Sequence, residues 1–273
     1  MSIRTLFVTV VAALAMSLAV ASTAAAAPTF SPAGSADVRP GSMTFTDGAQ
    51  CTSNFVFFDA TNKLYIGQAA HCSGTDGSTA TNGCEAGSLP LGTKVEIEGA
   101  SQSGTLVYNS WLTMQQKNET DANACDYNDF ALIEIDPADY DEVNPTIPFF
   151  GGPTGLATST GAGETVYSYG NSSLRLGLDP LKPKEGKSLG QKGGGWSHDV
   201  YTVTPGIPGD SGSAFINAGG KAFGTLSTVA LAPLPASNGV GDLSRELAYM
   251  EGNTALDVTL AEGTEPYTGG RLP

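Results

Sequence analysis

The chain has 273 residues, with 13 Lys and Arg against 27 Asp and Glu, a formal net charge of −14 at pH 7. A surface this acidic repels phosphate backbones and anionic lipid headgroups, which argues against nucleic acid or a membrane surface as a partner. No phosphate-cradling P-loop motif occurs either.

The N-terminus reads as a secretory signal peptide covering residues 1–26. Arg4 precedes an apolar run from Leu6 to Val20, and small residues follow, ending Ala24-Ala25-Ala26-Ala27-Pro28. Cleavage is expected after Ala26, because proline directly after the cut is poorly accepted. No later stretch reaches the roughly 18 to 20 apolar residues needed to span a bilayer, so a soluble, exported chain is expected. Removing Arg4 with the signal leaves 12 − 27 = −15. Residues 27–44 read as an N-terminal arm or a short propeptide.

Beyond residue 44 the chain reads as all-β. Short apolar or alternating runs recur at Asn54–Phe58, Lys63–Ile66, Lys94–Ile97, Phe130–Ile135, Thr165–Tyr169 and Val200–Val203. The 35 glycines and 16 prolines punctuate these runs as turns would, and one short helix is expected near Asp242 to Met250. Asn144 to Gly163 interrupts all periodicity and reads as a linker, while Asp179 to Gly195 reads as a surface loop. Residues 263–273 read as a flexible tail. The cysteines are Cys51, Cys72, Cys84 and Cys125, an even number that in an exported chain suggests two disulfides, with three pairings open.

Three motifs carry chemistry. Pro208-Gly209-Asp210-Ser211-Gly212-Ser213 can set a hydroxyl between backbone N–H groups, Ala69-Ala70-His71-Cys72 offers a base, and Asn128-Asp129-Phe130-Ala131-Leu132 offers a carboxylate. The order His, Asp, Ser is one of those a catalytic triad uses. A serine hydroxyl is a poor nucleophile at neutral pH, so a base must take its proton during attack on a carbonyl. An imidazole titrates near the working pH and can return that proton to the leaving amine. A carboxylate on the far ring nitrogen fixes the tautomer, and Asp126 is a rival to Asp129 for that role. The N–H groups of Gly209 and Ser211 are placed to meet a tetrahedral oxyanion if the glycine-rich loop curls.

Alternatives fail on the sequence. An α/β-hydrolase elbow needs Gly-x-Ser-x-Gly and a later histidine, but the fifth position is Ser213 and no His follows Ser211. The other histidine, His198, reads as an exposed or packing residue. Two histidines without a cysteine pair at metal spacing give no zinc site, so no metal and no cofactor are expected.

With these motifs the chain resembles the secreted bacterial branch of the chymotrypsin-like (trypsin-like) serine peptidases, over roughly residues 45 to 250. The resemblance rests on the three motifs, on the apolar segment entering the His box, on the adjacent cysteine, and on Phe223-Gly224-Thr225-Leu226-Ser227. It implies two six-stranded antiparallel β-barrels, residues 45–150 and 151–262, with the site in the cleft between them. It also implies His71, Asp129 and Ser211 as the triad, Asp129 being preferred over Asp126 because it directly precedes an apolar strand. A Cys51–Cys72 bridge follows from the same likeness, leaving Cys84 with Cys125. The implied activity is peptide-bond hydrolysis by a secreted monomer acting on protein or peptide substrates. The implied specificity pocket comprises Pro205, Gly206, Ser227 and Thr228. Pro205 stands where an acid would select Arg or Lys, and Leu226 stands where glutamate-specific relatives carry His, so an uncharged side chain before the scissile bond is expected. Asp199 reaching the pocket would change that. A catalytically inactive binding homologue of the same fold is the alternative.

Overall fold

The structure is a computed structural model and describes residues 27–76, 80–230 and 235–270. The signal-peptide reading of residues 1–26 lies outside the described residues.

The first half supplies strands β1 (Met43–Thr46), β2 (Ala49–Thr52), β3 (Val56–Phe58), β4 (Leu64–Gln68), β5 (Lys94–Ile97), β6 (Gly104–Asn109) and β7 (Ala131–Glu134), with helices α1 (Ser110–Lys117) and α2 (Ala122–Tyr127) between β6 and β7. The second half supplies β8 (Thr165–Tyr169), β9 (Pro183–Lys192), β10 (Ser197–Thr202), β11 (Ala214–Asn217), β12 (Ala222–Ala230) and β13 (Ser237–Asp242), then helix α3 (Leu243–Asn253) and a short β14 (Thr259–Leu260).

Period-two patterning decides the faces. β5 buries Val95 and Ile97 and exposes Lys94 and Glu96, as a half-buried antiparallel strand must. β4 is buried at every position, because β3 and β7 flank it and both its faces are covered. β8 to β13 close into a six-stranded barrel in the order β10-β13-β12-β11-β8-β9. The first half forms one curled sheet of eight strands, β14-β3-β4-β7-β6-β5-β1-β2. The all-β, two-unit expectation holds, with two differences of detail. The first unit is an eight-stranded sheet rather than a six-stranded barrel, and β14 crosses back from the second half to pair with β3.

Each half has its own core: Ile66, Leu106 and Ile133 in the first, Val166, Phe215 and Val240 in the second. A third cluster lies between them, built from Phe55, Phe57, Phe130, Phe150 and Tyr167 together with Leu243 and Met250 of α3. Each such buried side chain contributes about 1.5–3 kcal/mol of transfer free energy, so the halves are joined by a true core.

The segment from Asp179 to Gly195, expected as a loop, is mostly strand β9. Its residues pair with β8 on one side and β10 on the other, so barrel closure imposes a strand where no hydrophobic alternation signals one. Pro183 begins it, a position where a missing N–H is tolerated. Residues 263–270, expected as part of a tail, bond to the body of the molecule. Gly152 N–H donates to Glu265 O at 3.1 Å, Thr268 N–H to Phe150 O at 2.9 Å, and Asn144 Nδ2 to Thr264 Oγ1 at 2.8 Å. At the other end Val38 bridges Val143, and Phe30 packs on the first core, so the arm is docked on the sheet.

Both disulfides form, Cys51–Cys72 and Cys84–Cys125, at sequence separations of 21 and 41. Loop closure of these lengths removes about 3 to 4 kcal/mol of chain entropy from the unfolded state. Replacing Cys84 and Cys125 together with Ala should therefore lower unfolding free energy by about 2–4 kcal/mol, read as a lower denaturant midpoint with little change in slope. An unchanged midpoint would show that this bridge adds nothing.

Candidate active site

His71 sits on a 3₁₀ turn, Ala70–Ser73, reached directly from the buried strand β4. The neighbouring Cys72 ties this turn to β2 through Cys51. Asp129 lies between α2 and β7, where the Cys84–Cys125 bridge fastens α2. The two meet closely. Asp129 Oδ1 accepts the His71 backbone N–H at 2.9 Å, and Asp129 Oδ2 lies 2.7 Å from His71 Nδ1. Asp129, rather than the exposed Asp126, faces the imidazole.

This doubly bonded carboxylate fixes both the ring's orientation and its tautomer, leaving Nε2 free to act as a base. Burial of the ring opposes its charging, but the Asp129 charge and hydrogen bond outweigh it, so His71 lies above its ordinary value. The Ser227 hydroxyl donates to Asp129 Oδ2 at 2.6 Å. Sequence reading gave Ser227 a role toward substrate and missed this second one, since only the fold brings β12 against the loop before β7.

Ser211 shares one cleft of about 410 Å³ with His71, Asp129 and Ser227. Its hydroxyl makes no hydrogen bond among the described residues, an arrangement common before substrate tightens a site. The loop around it is held firmly. Asp210 N–H donates to Ile207 O at 2.9 Å, Gly212 N–H to Leu226 O at 2.7 Å, and Ser213 N–H to Asp210 O at 3.0 Å. The N–H groups of Gly209 and Ser211 alternate with these and have no partner among the described residues. Two unclaimed donors beside a hydroxyl are what an oxyanion needs. Gly209 is required here, because its φ of +93° is in the left-handed region and a Cβ would stand 2.4 Å from Gln50 Oε1.

The loop is anchored from below by charge. Asp210 is fully buried, with Oδ2 at 2.6 Å from Arg175 Nη2 and 3.1 Å from Lys184 Nζ. Burial opposes ionisation of this carboxyl, yet the charge of Lys184 and the Arg175 bond hold it below its ordinary value. Lys184, equally buried, is pushed down to about 8 by burial, against the pull of Asp210. Neither cation was singled out from sequence; Lys184 falls in the stretch taken for a loop.

The cleft walls differ in part from expectation. Thr228 lines the cleft with Leu226, Val229, Ile207 and Pro208, whereas Pro205 and Gly206 are not among its lining residues. The latter two are bonded through their backbones, and Gly206 packs against Leu226 of the wall. Arg175 Nη2 donates to Pro205 O at 2.9 Å, and Gly206 N–H donates to Asn238 Oδ1 at 2.8 Å. Trp111 of α1 completes the wall beside His71, with ring centroids 6.4 Å apart. Sequence reading found neither α1 nor this indole. Asp199 forms an ion pair with Lys192 and does not line the cleft. His198 is fully buried, with Nε2 2.9 Å from Asp242 Oδ2 and its ring edge-on to Phe223, so it packs the barrel. Cys51, His71 and Cys72 offer three clustered ligand atoms, but the two sulfurs are consumed by their disulfide and cannot act as thiolates.

No protein-family model matches the chain, and neither does any curated protein sequence. Solved structures do match. Thermobifida fusca Protease A aligns at 16% identity and a TM-score of 0.54, covering 83% of this chain and 99% of that one. The Nocardiopsis protease aligns at 17% identity and 0.52, covering 82% and 99%. A glutamic acid-specific serine protease, described as using a histidine triad in substrate binding, aligns at 17% identity and 0.51, covering 82% and 100%. Likeness at this level of identity speaks to architecture, and the chain accordingly has the chymotrypsin-like fold of the bacterial serine proteases.

Proposed function

We propose that the protein is a secreted serine endopeptidase with Ser211 as nucleophile, His71 as general base and acid, and Asp129 as the group that orients His71. The observation that carries this reading is the cleft itself. It holds a His71–Asp129 pair at 2.7 Å and a serine flanked by two unclaimed backbone donors. Attack by Ser211 Oγ on a scissile carbonyl transfers its proton to His71 Nε2, and the resulting imidazolium is stabilised by Asp129. The carbonyl oxygen becomes an oxyanion held by the Gly209 and Ser211 amides. Proton return from His71 expels the amine and leaves an acyl-enzyme on Ser211. Water activated by the same His71 then hydrolyses the ester. Export is supported by the signal-like N-terminus and by both disulfides.

A fluorophosphonate probe should label Ser211 and no other residue, and Ser211→Ala should abolish labelling. Peptide turnover should fall by several orders of magnitude, toward the roughly 10³–10⁴-fold residual acceleration that binding and an oxyanion hole provide. Full activity in Ser211→Ala would sink the assignment.

The pH profile follows from His71. Only the neutral imidazole accepts the serine proton, so kcat/KM rises as pH climbs through the folded-state value of His71, which lies above the ordinary 6.5. The half-rise should therefore fall above pH 6.5. A profile flat between about pH 5 and 9 would remove His71 as the base.

Specificity follows from the walls. Ile207, Leu226, Thr228 and Val229 present no charge, and His71 is the one histidine lining the cleft among the described residues. An unpaired charge buried there costs several kcal/mol. Peptides with Leu, Met, Phe or Ala before the scissile bond should be cut at least about tenfold better in kcat/KM than those with Arg, Lys or Glu, since about 1.4 kcal/mol produces that ratio. A substrate-library profile led by a charged residue would overturn this.

A further inference from the structure

Asp129 has a bonding partner that the triad chemistry does not use. Glu246, in the first turn of α3, is fully buried, and its Oε1 accepts the Asp129 backbone N–H at 3.2 Å from 117 positions along the chain. Room for it exists because position 241 has no side chain. A Cβ on Gly241 would stand 2.2 Å from Glu246 Oε1 and 2.9 Å from its Cδ, and these Glu246 atoms are among its nearest neighbours. The helix that presents Glu246 is itself pinned. Asp242 caps it by accepting Arg245 N–H at 3.1 Å, while its other oxygen meets His198.

We propose that Glu246 is a positioning residue for Asp129: its buried carboxyl, admitted by Gly241, holds the Asp129 main chain and thereby fixes where that carboxylate meets His71. This inference rests on the serine-peptidase reading for its catalytic consequence, though not for the contact.

The carboxyl does this work in its neutral form. Burial, and then the neighbouring Asp129 charge, push Glu246 well above the ordinary carboxyl range. The titratable groups facing it are acids or a phenol, Asp129 from the loop before β7, Asp242 at the head of α3 and Tyr108 of β6, and the Thr225 hydroxyl of β12 also bonds it, which opposes the upward push without overcoming it. No Lys or Arg among the described residues pairs with it. A second negative charge beside Asp129 would compete for the imidazolium; a neutral carboxyl supplies the acceptor without that competition.

The test uses the disulfide-intact protein and two readouts. One is the downfield His71 Nδ1 proton signal, which reports the His71–Asp129 bond whether or not substrate is turned over and is assigned by its loss in His71→Ala. The other is kcat and KM on a peptide. Glu246→Gln keeps a neutral acceptor of the same shape, so it should keep the signal and a kcat within about threefold of the parent. Glu246→Leu should broaden or lose the signal and lower kcat at least about tenfold, with KM moving much less. Gly241→Ala, which leaves residue 246 intact and lies outside the left-handed region, should displace the carboxyl and act in the same direction should the leucine variant fail to fold. The proposal is overturned if Glu246→Leu and Gly241→Ala lower only the melting temperature and keep both signal and kcat. It is equally overturned if Glu246→Gln falls as far as Glu246→Leu. A parent protein that shows the His71 signal but takes no fluorophosphonate label would sink the peptidase reading alone.

Discussion

One buried carboxylate ties the two halves of this molecule together. Asp129 belongs to the first half and binds His71 there twice, through the backbone and through the ring. From the second half it receives the Ser227 hydroxyl and gives its own N–H to Glu246. Losing one partner of a buried, hydrogen-bonded charge costs about 3–5 kcal/mol, because the remaining charge is left uncompensated. At Asp129 the contact between the halves and the orientation of His71 therefore share one residue, within the larger core that joins the halves.

The loop bearing Ser211 is fixed by a different means. The Gly209 and Ser211 amides are left without partners among the described residues while the amides of Asp210, Gly212 and Ser213 are bonded, and Asp210 is anchored beneath the loop by Arg175 and Lys184. Two cations on one carboxylate make a costly arrangement. Burial lowers Lys184 to about 8, which still leaves it mostly protonated and paired with Asp210 at neutral pH. Thr52 reinforces the loop across the halves, its N–H donating to Ser211 O at 2.8 Å and its hydroxyl to Gly209 O at 2.7 Å. Rigidity at this point matters physically, since donors that need no reorganisation are worth most when charge develops.

The sequence by itself singled out the residues that meet in the cleft, and the strand-rich class. His71, Asp129 and Ser211 stand in short motifs whose meaning is local, and strands such as β5, β7 and β8 announce themselves by period-two or apolar runs. Helix α3 was expected near Asp242 to Met250 and spans Leu243–Asn253. Tertiary structure decided what depends on residues far apart in the chain. β9 is a strand because two neighbours in a closing barrel supply its hydrogen bonds, which no pattern within Pro183–Lys192 encodes. Which residues line the cleft was likewise decided by the fold: Ile207 and Pro208 do, while the neighbouring Pro205 and Gly206 are bonded to Arg175 and Asn238. Ser227, Glu246, Trp111 and Lys184 acquire their roles around the site only where separate segments meet, and burial and charge at such meetings are properties of the fold rather than of any stretch of sequence.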